Sequence, residues 1–167
     1  MTSRHYSLLI LFVSFLFLSW KVESVPNTRT VVGGDTVHVS DPDDLVSSED
    51  ESKINSMLHS LRAKSDAMVV ILKTIDNADE NEFANELFNL WGIGNKQTNN
   101  GLLILVVEDS RTARIETGDG MEGIMPDVVC GKLISQKMLP AFRNGDYGTG
   151  LIEATKTLID IIDKQEM

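Results

Sequence analysis

Carboxylates gather wherever the apolar runs of this chain stop. Asp41, Asp43 and Asp44 follow one β-rich run, and Asp76 and Asp79 follow a second. Glu108 and Asp109 end a third, with Ser110 and Arg111 directly after them, and a Gly-rich turn over 118–123 adds Asp119 and Glu122, with Asp127 soon after. Carboxylates brought together repel unless a cation, an arginine or water offsets them. Oxygen donors without cysteine or histidine point to calcium or magnesium rather than zinc. Acidic residues also cap helices and keep surfaces soluble, and Asp43, Asp44, Glu49, Asp50, Asp79 and Glu80 read that way. Asp109 differs, because it terminates a strongly apolar run two residues before Arg111.

Other chemistries fit less well. Asp41-Pro42-Asp43 has the Asp-x-Asp spacing of haloacid-dehalogenase nucleophiles, but the residues around it and the later lysine and paired aspartates of that pattern find no counterpart. After the first 24 residues the only histidines are His38 and His59, so no Ser-His-Asp set can be assembled. The stretch 76–87 lacks the central glycine and final glutamate of an EF-hand loop. Asn99-Asn100-Gly101 reads as a turn rather than a phosphate loop. Cys130 is the single cysteine, so no intramolecular disulfide forms, and its apolar setting reads as a small buried residue.

The elements that must position these groups begin after an N-terminal leader. Residues 8–20 are almost wholly apolar, preceded by Arg4 and His5 and followed by Val22-Glu23-Ser24. This is the pattern of a signal peptide over 1–24 with a cut after Ser24, an uncleaved N-terminal anchor being the weaker alternative, since a spanning helix needs about 20 apolar residues. Removing it takes the net charge from −10 to −11. So acidic a protein suits cations or a cationic partner and disfavours nucleic acid and anionic membranes. The expected location is secreted or otherwise extracytoplasmic.

Residues 25–35 read as a lead-in and 36–165 as one domain. A short strand over 36–40 precedes a helix over 48–64, where Ser48 and Glu51 have capping-box spacing and Ile54, Met57, Leu58 and Leu61 share a face. The continuous apolar run 67–73 reads as a strand covered on both faces. A helix opened by Asp79 and stopped by Gly92 and Gly94 comes next, then the apolar strand 102–107 and an alternating strand 112–117. The few residues between these two strands make a hairpin, so the second is antiparallel. A helix from Pro126 to about Met138, a loop over 143–148 and a last helix through Leu151, Leu158 and Ile162 complete the order. The expected fold is a three-layer α/β/α sandwich with a mostly parallel four-stranded sheet and one antiparallel edge strand. In such sheets ligands gather outside the carboxyl ends of the strands.

One stretch is more specific. Trp91-Gly92-Ile93-Gly94, Asn99-Asn100-Gly101-Leu102, Glu108-Asp109-Ser110-Arg111, Arg114-Ile115-Glu116-Thr117-Gly118-Asp119-Gly120-Met121-Glu122-Gly123 and Pro126-Asp127, in this order, resemble the TPM domain over roughly residues 36–163. Departures occur where the family often has Asp-Asn-Gly, Asp-Asp-Arg and Gly-Tyr-Gly and this chain has Asn99-Asn100-Gly101, Asp109-Ser110-Arg111 and Gly118-Asp119-Gly120. The resemblance implies the α/β/α sandwich, export or membrane attachment and divalent-cation binding in several members. Functions within it differ: a plant acid phosphatase, animal receptor accessory proteins and uncharacterised bacterial proteins. The expected metal ligands are Asp41, Asp109, Glu122 and Asp127, with Asn100, Arg111 and Asp119 as further ligand-binding residues. The expected function is a cation-binding interaction or regulatory module with a membrane or secreted protein partner. The alternatives are a metal-assisted acid phosphatase and a receptor accessory protein. A phosphatase would need more positive charge than the one arginine the sequence places near the carboxylates.

Overall fold

The structure is a computed structural model that describes residues 37–164 together with Val22, Glu23 and Val25. The leader, its cut after Ser24, the lead-in and Thr36 otherwise lie outside the described residues. In chain order the elements are β1 (Val39–Ser40), α1 (Ser48–Leu61), β2 (Asp66–Leu72), α2 (Glu80–Trp91), β3 (Gly101–Val107), β4 (Thr112–Thr117), a single 3-10 turn, α3 (Asp127–Leu133), a π turn (Ile134–Met138), α4 (Leu139–Phe142) and α5 (Tyr147–Lys164).

The sheet order is β1-β2-β3-β4. The first two pairings are parallel and the last is antiparallel. Side chains alternate between two apolar cores, as the period of two requires. Ala67, Val69 and Ile71 of β2 and Leu102, Ile104 and Val106 of β3 face one core with α1, α3 and α5. Met68, Val70 and Leu72 with Leu103, Leu105 and Val107 face the other, covered by Phe83, Leu87 and Trp91 of α2 and joined by Val22 and Val25. Burial on both faces explains why β2 and β3 read as unbroken apolar runs.

Local chemistry sets the ends. The cap of α1 is Ser47 rather than Ser48: its Oγ accepts from the Asp50 amide and donates to Asp50 Oδ2 at 2.8 Å. This frame leaves Ile54, Leu58 and Leu61 buried and frees Glu51 to meet Asp41. Asp79 caps α2 through the amides of Asn81 and Glu82, and Gly92, with φ of 58°, ends it in the left-handed region that suits glycine. The helix expected from Pro126 to about Met138 runs on instead through the π turn into α4. Pro140 has no N–H for the Gln136 carbonyl four residues back, and the helix widens there.

Candidate functional site

The carboxyl ends of the parallel strands open onto a cleft of about 610 Å³. β1 leads into the loop 41–45, β2 into Lys73 and β3 into the turn 108–111, and the link between α4 and α5 closes the remaining side. Asp44, Glu108 and Asp109 line the cleft with Lys73, Arg111, Arg143 and Tyr147. Backbone and carboxylate bonds fix this rim. Asp43 Oδ2 accepts from the Lys73 amide at 2.8 Å and Asp41 Oδ2 from the Val46 amide at 2.7 Å. The Asp109 amide donates to the Lys73 carbonyl at 3.0 Å, and the Arg111 amide to the Glu108 carbonyl at 2.9 Å.

Two charged residues of the rim, Asp44 and Arg111, hold left-handed backbone with φ of 53°. Aspartate tolerates that region, but arginine there costs on the order of 1 kcal/mol. Tyr147 is buried against Phe142, with ring centroids 4.9 Å apart. Burial, and then the charge of Glu108, push its hydroxyl above the usual 10 against the pull of Arg111, so it stays a protonated donor at neutral pH. Among the described residues none of Lys73, Arg111 and Arg143 makes an ion pair; the pairs recorded are Lys64–Asp163, Arg114–Glu116 and Lys156–Glu153, all elsewhere.

The expected site residues divide between the two ends of the sheet. Asp109 and Arg111 line the cleft. Asp41 sits behind its wall, where the Glu51 carboxyl is pushed above its ordinary value by burial, by the charges of Asp41 and Asp44 and by a hydrogen bond to Asp41. Asp41 Oδ1 is buried without a hydrogen-bond partner among the described residues.

Asn100 is occupied at the amino end of β3, where its Oδ1 accepts from the Asn95 amide and its Nδ2 donates to the Lys64 carbonyl, each at 2.9 Å. Asp119 and Glu122 line a separate depression of about 380 Å³ with Asn85, Asn99 and Glu116. Asp127 is exposed at the first turn of α3. The cause is the direction of β4. An antiparallel strand returns the chain to the amino ends of its parallel neighbours, and six residues at about 3.3 Å each carry it roughly 20 Å. The Gly-rich turn is therefore a packing device, since a side chain at Gly118 or Gly120 would drive into the carbonyls of Asn99 and Thr98.

Asp41 and Asp109 follow β1 and β3 at one end of the sheet, whereas Glu122 and Asp127 follow the antiparallel β4 at the other. Among the described residues no group of three or more His, Cys, Asp or Glu side chains is disposed to hold a metal. Lys73, Arg143 and Tyr147 are cleft residues that no sequence motif marks. Lys73 reads in sequence as a strand end, and Arg143 and Tyr147 reach the cleft from a helix link rather than from a strand end. Cys130 is buried, its thiol raised by burial and donating to the Met125 carbonyl at 3.3 Å, which leaves it inert.

A family model described as the TPM domain matches residues 39–161. The solved N-terminal domain of a P. gingivalis protein is 36% identical, with a TM-score of 0.79, over 86% of this chain and 92% of that one. The BA42 protein of Bizionia argentinensis shares the fold at 18% identity and a TM-score of 0.62, over 74% of this chain and 86% of that one. The N-terminal domain of a Corynebacterium glutamicum protein does so at 15% identity and 0.62, over 82% and 89%. No curated protein matches the chain. The motifs around the cleft, the sheet order and the family match over 39–161 agree: the chain belongs to the TPM domain family.

Proposed function

We propose that the chain is an exported binding module whose cleft takes a phosphate-class anion together with a divalent cation, calcium or magnesium. The observation that carries this reading is the set of charges in the cleft: Lys73, Arg111 and Arg143 share it with Asp44, Glu108 and Asp109, yet among the described residues none of the three cations is bridged to a carboxylate. Opposite charges held apart in one concavity complement a ligand that carries both signs. Magnesium in such sites is held by one or two carboxylates plus the oxygens of a bound phosphate, not by an all-protein cage. That accounts for a cleft with carboxylates but no closed group of three. Asp109 is the leading protein ligand for the cation. Arg111 and the Tyr147 hydroxyl hold the anion. The leader read in residues 1–24 supports export.

Metal-assisted acid phosphatase activity draws on the same observation, because three cations rather than one meet a dianionic ester. Titration with inorganic phosphate, with and without magnesium, tests the shared claim. Saturable binding that needs Arg111 and Asp109 supports the cleft, and no binding to the folded protein refutes it. Hydrolysis of an aryl phosphate that survives purification and is lost in Asp109→Asn makes the protein an enzyme, while binding without turnover keeps it a module.

A further inference from the structure

His38 lies fully buried beside the edge strand β1. Its Nδ1 is 2.9 Å from the Ala67 carbonyl, which can only accept, so the ring proton sits on Nδ1. Nε2 is then a bare lone pair, buried and without a hydrogen-bond partner among the described residues. The ring packs edge-on against His59 of α1, with centroids 6.0 Å apart. The charged and titratable groups facing it are Asp66 on β2, which favours a positive charge, and His59 and Arg62 on and just after α1, which oppose one.

The segment is held by the pairing of Val39 and Ser40 with Val69 and Val70 of β2 and by bonds at its start. Asn55 Oδ1 accepts from the amides of both His38 and Val39, at 2.6 and 3.1 Å, and the His38 carbonyl accepts from the Val69 amide at 2.8 Å. Three residues beyond His38, the chain enters the loop whose Asp41 and Asp43 grip the Val46 and Lys73 amides at the cleft.

We propose that His38 is an acid-released latch: protonation of its ring frees β1 and, with it, the loop 41–45 that walls the cleft. An imidazolium at this position has an Nε2–H with no acceptor and a charge away from water, and opening the segment cures both defects. Burial holds His38 below its ordinary 6.5, reinforced by His59 and Arg62 against the Ala67 bond and Asp66. The sign follows. The open segment binds the proton more readily than the closed one, so falling pH favours opening, by up to about tenfold per unit between 6.5 and the lower closed-state value. This holds whatever the cleft binds.

Hydrogen exchange by NMR on the folded chain decides it, with the amides of His38, Val39, Val46 and Lys73 as reporters. Between pH 6.5 and 5.5 these amides should lose up to about tenfold in protection, while amides of β3 keep theirs. His38→Gln keeps a donor for Ala67 but cannot be charged, and should abolish that loss. His59→Ala should bring the His38 ring midpoint, read from its own NMR shifts, closer to 6.5, a readout available even if His38→Gln does not fold. The latch is overturned if the reporters keep their protection at pH 5.5, if His38→Gln loses it equally, or if the ring in the folded protein titrates at 6.5 or above.

Discussion

Arg111 carries the clearest conflict between stability and use. Its side chain is exposed, so it contributes little packing, yet its backbone holds a φ of 53°. Arg111→Gly should therefore raise stability by about 1 kcal/mol in urea unfolding while removing phosphate binding. A variant that loses stability would mean that the guanidinium holds the turn rather than a ligand. Glu51 gives a second test. Its carboxyl is raised in the fold by burial and by Asp41 and Asp44. A raised carboxylate contributes stability that is full below its unfolded value and is lost as pH rises through the folded one. Glu51→Gln should melt a few degrees higher than the parent at pH 7 and together with it at pH 4. Equal melting at both values would remove the Asp41–Glu51 pair from the account.

At the scale of elements, the direction of β4 decides which acidic residues can act together. The sequence already carried the hairpin signal in the short break between 107 and 112, and that break made β4 antiparallel. Its consequence, that Asp119, Glu122 and Asp127 belong to the far end of the sheet, is a matter of topology that no local motif states. The double variant Asp119→Asn with Glu122→Gln should leave phosphate and magnesium binding at the cleft unchanged in calorimetry. A loss there would mean that both ends of the sheet serve one site. Gly120→Ala, by contrast, should destabilise the fold by about 1–3 kcal/mol, because the added Cβ meets the Thr98 carbonyl. That cost should appear in the urea midpoint without a change in cleft affinity.

For the whole molecule, the sandwich was legible because β2 and β3 are apolar on both faces while α1 and α2 show helical periodicity with good caps. Asp109 and Arg111 were legible for the same reason, as the polar end of a buried strand. Lys73, Arg143 and Tyr147 were not, because nothing local marks a helix link that folds back over strand ends. Their arrival changes the charge of the site from a cluster of carboxylates to a cleft of both signs, despite a net charge of −10 for the chain. The cation and the anion should therefore bind as linked partners, each tightening the other by the same factor. The most direct measurement is calorimetric titration of magnesium into the protein, alone and at saturating inorganic phosphate. Magnesium alone should bind weakly and at least about tenfold more tightly with phosphate present, an effect lost in Asp109→Asn. Stoichiometric magnesium binding that is indifferent to phosphate would contradict it and return the site to a protein-only metal centre.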